Sequence, residues 1–416
     1  TNFVQAGTVF EDYMAHDLQR EAIRGCLKKS GVDPKEIDYV MMGTVIQEVL
    51  TSNIAREAAM EAGVPDSVPG HTVTLACISS NVATATGISY IQTGHMDTVL
   101  AGGVECMSDL PIRFSRPIRK RLLKAAKMKT PGQMLGLLNG LSSGDLAPQA
   151  PGVAEFSTGE IMGHSADRLA QAFGVSRSEQ DYFCRRSHLN AEKFANEGYF
   201  DEEIVPMKHC AKNEMITKDN GVRASTMEQL GKLKPAFVKP HGTITAANAS
   251  YLTDGASASI IMAEEKAKAD GLTCKLTFKD WVFVSQDPKD QLLLGPTYAT
   301  AKLLKKNNLT INDIDVWEFH EAFAGQVLSN INAMNSESWC QQNLGHEKLG
   351  LIDWEGKMNN RGGSLSVGHP FGATGTRLIT WAADRLRDED GKLCVITACA
   401  AGGQGVAMLV ERHPDY

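Results

Sequence analysis

The chain has 416 residues, 43% of them hydrophobic and 22% charged, with a net charge of −7, a composition too apolar for a disordered chain and too acidic for a global nucleic-acid-binding field. No window reaches the ~18 unbroken apolar residues that a transmembrane helix needs. The nine cysteines are scattered without a Cys-x-x-Cys pair, which fits reduced thiols and no zinc ribbon.

Residues 17–29 have the amphipathic spacing of a helix and run into Leu27-Lys28-Lys29, Ile37-Asp38 and a strand-like stretch. Residues 72–77 then read as a strand, the small residues up to Gln92 as a helix, and 98–103 as a second strand. From 110 to 143 there is no acidic residue, while Arg113, Arg116, Arg119, Lys120, Arg121, Lys124, Lys127 and Lys129 crowd together with Ile112, Phe114, Ile118, Leu122, Leu123 and Met128 between them. Met134, Leu135, Leu137, Leu138 and Leu141 follow, and Pro148, Pro151 and Gly152 close the segment. Residues 165–199 are helical in pattern.

A second amphipathic run at 298–306 leads into Leu304-Lys305-Lys306 and Ile314-Asp315. Leu304 stands 277 residues after Leu27, and Ile314-Asp315 keeps the same offset from Ile37-Asp38. A strand at 314–319, a loop and helix at 368–387, and a strand with a glycine-rich turn at 393–403 repeat the earlier order of elements. We read a duplicated α/β fold. Its first half comprises 1–107 and 241–275, a loop domain is inserted at 108–240, and the second half is 276–416.

Four side chains stand where chemistry is expected. Cys77, between a strand pattern and a small-residue helix, is placed for a helix N-terminus to stabilise its thiolate; the plain alternative is a buried structural cysteine. His369 lies on the glycine loop Gly368-His369-Pro370-Phe371-Gly372, suited to a general base. His320 and Glu321 follow a strand in His-Glu-Ala-Phe, which is not the His-Glu-x-x-His of a zinc protease. They suit orienting a water or polarising a carbonyl. Cys399 opens Ala400-Ala401-Gly402-Gly403-Gln404-Gly405, where a thiol can exchange protons and neighbouring N–H groups can hold an oxyanion.

Taken together, these segments resemble the thiolase family over essentially the whole chain. Cys77 and its strand resemble the nucleophile segment. Ala101-Gly102-Gly103-Val104-Glu105-Cys106-Met107-Ser108 resembles the Ala-Gly-Gly-x-Glu-x-Met-Ser signature, and the His369 loop and Cys399 turn resemble the two C-terminal signatures. The resemblance implies a duplicated thiolase fold, with two halves that together form five layers. It implies thiolysis of a long-chain 3-ketoacyl-CoA in fatty-acid β-oxidation, with coenzyme A as co-substrate, no permanently bound cofactor and no metal. Cys77, His320, His369 and Cys399 would be catalytic, with an oxyanion hole from Cys77, Ala401 and His369. Met162, Arg223, Ser250 and Phe323 would bind coenzyme A.

Two departures narrow the branch. Most thiolases carry Asn where this chain has His320, and the usual Cys-x-Gly is Cys399-Ala400-Ala401 here. The basic stretch and the Cys-Ala-Ala-Gly-Gly turn are similar to a mitochondrial branch of the family that works with an α subunit bearing hydratase and dehydrogenase activities. A homodimer and a place on the matrix face of the inner membrane are implied with it. The sequence does not open on Met, so a start after a removed leader is expected.

The alternatives are a short-chain acetoacetyl-CoA thiolase, a non-catalytic lipid carrier or scaffold on the same fold, and a ketoacyl-carrier-protein synthase; Cys399 argues against the synthase. Segment 110–143 is expected either to contact protein or to lie on an anionic membrane.

Overall fold

The computed structural model describes residues 1–416, apart from the side chains of Leu135 and Leu138 in the basic segment, which lie outside the described residues. In chain order the first half runs β1 (Val4–Gln5), α1 (Ala15–Ser30), β2 (Tyr39–Gly43), α2 (Ile54–Glu61), β3 (Gly70–Val73), α3 (Ser79–Gln92) and β4 (Thr98–Glu105). The inserted region holds α4 (Arg116–Ala125), α5 (Pro131–Leu135), α6 (Met162–Ala172), α7 (Arg177–Asn196), the small hairpin β5 (Met207–Lys208) and β6 (Met215–Ile216), and α8 (Met227–Gly231). The chain then returns through β7 (Thr253–Met262) and α9 (Glu264–Ala269). The second half runs β8 (Leu276–Ser285), α10 (Gly295–Lys306), β9 (Val316–Phe319), α11 (Ala324–Met334), α12 (Glu337–Leu344), α13 (Ser364–Val367), α14 (Thr374–Asp388), β10 (Leu393–Ala400) and β11 (Gln404–Arg412).

The two main sheets have one topology. The first has the order β1-β7-β4-β2-β3 and the second β8-β11-β10-β9. In each, a parallel pair (β2 with β4, β9 with β10) is followed by an antiparallel strand (β7, β11). The repeat is visible to the residue, since the one-turn helices at Pro34–Glu36 and Ile311–Asp313 stand at the same offset of 277 as the sequence blocks.

Five layers result. α1 and α2 cover the outer face of the first sheet through Ile23, Leu27, Ala55, Ala58, Val40 and Met42. α10 and α11 cover the outer face of the second through Leu303, Val327, Ile331, Trp317 and Phe319. Between the sheets, α3 and α14 share one core, in which Ala83 and Ile88 meet Leu378, Ala382, Ile396 and Met408. Their close approach explains the small residues: a Cβ on Gly375 would overlap the Asn81 amide, and the Thr376 N–H donates to Ser80 Oγ at 3.1 Å.

Two boundaries differ from the sequence pattern. The strand expected over 72–77 stops at Val73, because Ser79 Oγ accepts from the Leu75 N–H at 2.9 Å and donates to the Ala76 carbonyl at 2.6 Å, folding a turn in which Ala76 has φ 45°. The helical stretch 165–199 is two helices, broken at Gly174 (φ 66°) and restarted by Ser176, whose hydroxyl accepts from the Glu179 N–H.

The basic segment stands out from the core. Its strap is tied by Arg113 and Gln149, which exchange backbone hydrogen bonds of 2.9 and 2.7 Å. No residue of α4 is buried; Phe114 is 64% and Leu123 72% exposed. Among the described residues none of its eight basic side chains forms an ion pair within the chain. Among the described residues no helix is long and apolar enough to cross a membrane, and all nine cysteines are free.

Candidate active site

Cys77 sits in the turn before α3, and His369 on the loop before α14, so the two central helices bring these loops together. His320 follows β9 and Cys399 lies near the end of β10, both in the second sheet. Cys77 Sγ and one ring nitrogen of each histidine lie within 4.8 Å of one another. The two imidazole centroids are 4.1 Å apart. Cys399 is buried, in a cluster with Phe323, Leu294 and Ala249, and the charge of a Cys77 thiolate would reach it. The four residues singled out in the sequence therefore converge.

The His369 loop is fixed from below. Glu105, at the end of β4, accepts from the Gly372 N–H at 3.0 Å, the Ile46 N–H at 2.8 Å and the Val45 N–H at 3.1 Å. Burial pushes its carboxyl up to about 7 against the pull of those N–H groups. The His369 N–H donates to Thr253 Oγ1 at 2.9 Å, which ties the loop to β7.

Hydrogen-bond partners determine where the ring protons lie. Thr374 Oγ1 donates to the Pro370 carbonyl at 3.0 Å, so its single hydrogen is engaged. With that hydrogen on the carbonyl, His369 Nδ1, 2.7 Å from the same oxygen, is assigned as the donor. That leaves a lone pair on His369 Nε2, a buried atom without a protein partner, in the position a general base requires.

The resting site is uncharged. Burial, then His320 and Arg377, hold His369 well below the usual histidine range. Burial, then Arg377, lowers His320 to about 3. Burial, then Glu105, pushes the Cys77 thiol up to about 12, although the N–H groups of Ala401 and Cys77 pull the other way. Cys77 is only partly buried by its accessible surface, yet desolvation of its thiol outweighs those donors, against the expectation that the helix N-terminus stabilises a thiolate. Burial also raises the Cys399 thiol.

Glu321 needs a second correction, since it neither orients a water nor polarises a carbonyl. It is fully buried and accepts from Asn359 Nδ2 at 2.7 Å, Ser187 Oγ at 2.8 Å and the Leu365 N–H at 3.2 Å. Those bonds lock the strand end that carries His320.

Ala401 adopts no left-handed backbone; the positive φ values of the turn belong to Gly402 (87°) and Gly403 (69°). Alanine is therefore compatible with presenting its N–H to Cys77. Among the expected coenzyme A residues, Met162 and Phe323 join the Cys399 cluster. Ser250 is close by, its N–H donating to the Ala322 carbonyl at 2.9 Å. Arg223 is exposed, and its charge reaches Tyr251 beside Ser250.

Glu105, Thr374, Ser364 and Arg377 were missed as site residues, although all four lie within or beside the signature stretches. Cys77, His320 and His369 are the donor types zinc takes. A metal there would need lone pairs from both histidines at once.

Comparison with known proteins agrees with this architecture. The thiolase N-terminal domain model matches residues 1–265 and the thiolase C-terminal domain model residues 272–412. The chain belongs to the thiolase family. It is an acyltransferase that uses coenzyme A as a substrate and holds no permanent cofactor.

The human mitochondrial trifunctional enzyme subunit beta is 56% identical over 415 residues, covering 100% of this chain and 87% of that protein. A probable 3-ketoacyl-CoA thiolase of Caenorhabditis elegans is 55% identical, covering 99% of this chain and 92% of that one. Among solved structures, human mitochondrial 3-ketoacyl-CoA thiolase in complex with CoA superposes with a TM-score of 0.83 at 29% identity, covering 99% of this chain and 96% of that one.

Proposed function

We propose that this thiolase cleaves 3-ketoacyl-CoA in fatty-acid oxidation, with a preference for long chains, as the thiolase subunit of a mitochondrial assembly. The observation that carries the chemistry is the convergence of the Cys77 thiol with one acceptor nitrogen, on His369, and a second histidine inside 4.8 Å. The full-length identity to trifunctional β subunits supports the assembly, with an α subunit bearing hydratase and dehydrogenase activities, and the mitochondrial placement on the matrix side of the inner membrane. A homodimer through the core is part of the same reading.

In this reading His369 Nε2 takes the Cys77 proton as Sγ bonds to C3 of the substrate. The C2–C3 bond breaks, and its electron pair passes into the enolate of departing acetyl-CoA, whose oxygen is held at the histidines. Cys399 protonates C2. A second coenzyme A thiol, deprotonated by the Cys399 thiolate so formed, attacks the acyl-Cys77 thioester. The N–H groups of Cys77 and Ala401, with His369, hold the oxyanion, and Cys77 leaves as a thiolate that takes its proton back from His369. Sulfur suits both roles, since a thiolate attacks and departs readily where an alkoxide departs poorly. Met162, Arg223, Ser250 and Phe323 hold the coenzyme A moiety.

The test is steady-state thiolysis across a 3-ketoacyl-CoA series from four to sixteen carbons, with acyl-enzyme trapped in the absence of free coenzyme A and mapped by mass spectrometry. Highest kcat/KM on long chains and an adduct on Cys77 are expected. Activity confined to acetoacetyl-CoA, or an adduct on Cys399, overturns the reading.

The segment 110–143 completes it. Apolar Phe114, Leu122 and Leu123 are exposed among basic side chains that form no ion pair among the described residues, the chemistry of a surface that meets anionic lipid. Flotation with cardiolipin-containing vesicles, lost with neutral vesicles and on Glu substitution at Arg119, Lys120 and Arg121, is the expected result. Binding that ignores lipid charge returns the segment to a protein-contact role.

A further inference from the structure

Behind His320 lies a buried pair that the chemistry above does not use. Ser364, the first residue of α13, is fully buried and its Oγ stands 3.1 Å from His320 Nδ1. On its other side Arg377 Nη2, from α14, donates to the same oxygen at 3.1 Å. Arg377 is only 4% exposed, and its Nε and Nη1 have no partner. The guanidinium is held by packing instead, its carbon 4.7 Å from the Trp381 ring centre and 5.7 Å from that of Phe3.

Counting hydrogens settles the direction of the chain. A guanidinium has donors only, so one lone pair of Ser364 is taken by Arg377. The serine hydrogen then has one acceptor within reach, His320 Nδ1. If Nδ1 were the donor instead, that hydrogen would be buried with nothing to bond, at a cost proteins avoid.

We infer that Ser364 and Arg377 are positioning residues that fix His320 as its Nε2–H tautomer, opposite to that of His369, so that it presents a hydrogen-bond donor where enolate charge develops. The inference rests on the thiolase mechanism proposed above and extends it to residues that do not touch the substrate. Two neutral histidines, their rings 4.1 Å apart, are thereby made different. Thr374 makes His369 an acceptor, the base for Cys77. Ser364 makes His320 a donor, able to hold an oxyanion directly or through a water. The same arrangement argues against a metal on Cys77, His320 and His369, because Nε2 of His320 carries a hydrogen and offers no lone pair.

Arg377 has a second effect through the same contact. Added to burial, its charge opposes a proton on either ring, so His320 stays neutral and cannot become a donor by simply charging. The serine hydroxyl is left as the means of choosing the tautomer.

The test combines spectroscopy and kinetics on the full chain. Ring 15N shifts of histidine-labelled protein are expected to show His320 protonated at Nε2 and His369 at Nδ1, and Ser364→Ala is expected to move His320 toward a mixture. That measurement needs no turnover, so it stands even if the thiolase reading fails. In steady-state thiolysis Ser364→Ala should lower kcat by about 10- to 100-fold, with KM within about threefold, the range for weakening one oxyanion donor. Placed in a His320→Asn background, where no tautomer exists, Ser364→Ala should cost little more. Ser364→Thr, which keeps the hydroxyl, should restore much of kcat if it folds. An Nδ1–H signal for His320 in the unmodified protein overturns the inference, as does an equal loss from Ser364→Ala with and without His320.

Discussion

The neutral resting state of Cys77 makes a prediction that separates it from cysteines that rest as a thiolate paired with imidazolium. Burial pushes its thiol up to about 12, while His369 is held below its usual range and does not carry the proton at rest. At neutral pH such a thiol has roughly a thousandfold less thiolate than an ordinary cysteine. Alkylation by iodoacetamide reads that fraction directly, since only the thiolate reacts. The rate at Cys77, mapped by peptide mass spectrometry so that the other eight thiols do not contribute, is expected to rise about tenfold per pH unit from 6.5 to 9.5 without a plateau. His369→Ala should leave this resting rate within about threefold yet abolish thiolysis, because the base is needed during attack on substrate rather than before it. A plateau with a midpoint near neutrality, lost on His369→Ala, would refute the reasoning: it would mean that the helix N-terminus and His369 together outweigh desolvation.

Three further outcomes follow from the same geometry. Cys399→Ser should still form acyl-Cys77 but turn over far more slowly, since a hydroxyl of much higher pKa replaces the thiol that moves protons at C2; near-normal steady-state rates would remove that role. Arg385→Met should cost about 3–5 kcal/mol in urea denaturation, because Glu318, 2.7 Å away and equally buried, is left without its counter-ion. Glu105, raised to about 7, contributes stability that is present below about pH 4.5 and is lost as pH rises through about 7, so the Tm advantage of the protein over Glu105→Gln should shrink across that window by the equivalent of about 3 kcal/mol. A constant Tm difference from pH 4.5 to 8 would contradict it.

The parts of the fold legible in sequence were those written locally. The offset of 277 located the second half, and β2 and β9, which begin at Tyr39 and Val316, keep it. Cys77, His320, His369 and Cys399 stand out because each lies at the end of a strand pattern or on a glycine loop. What escaped notice depends on contacts between distant parts of the chain. Glu105 reaches Gly372 across 267 residues, so its role in holding the His369 loop has no local pattern. The strand expected over 72–77 was cut short by one hydroxyl, Ser79 Oγ, whose two bonds replace ladder bonds with a turn. The state of Cys77 is not legible for a related reason: the helix N-terminus can be read from residue order, but the desolvation that outweighs it is a property of the assembled layers.

The duplication also accounts for how one site comes to hold both the proposed nucleophile and its proposed base. In the first half the loop before the central helix α3 carries Cys77; in the second, the loop before α14 carries His369. These helices lie side by side between the sheets, and their first turns touch, with Thr376 bonded to Ser80 and Gly375 against Asn81. Equivalent loops of the two halves are therefore adjacent without any segment being added to join them. What distinguishes them is side-chain chemistry, a thiol in one and an imidazole in the other. The strand ends of the second half then supply His320 and Cys399. The small residues of α3 and α14 serve that adjacency, because each side chain enlarged at the contact would push Cys77 away from the lone pair of His369.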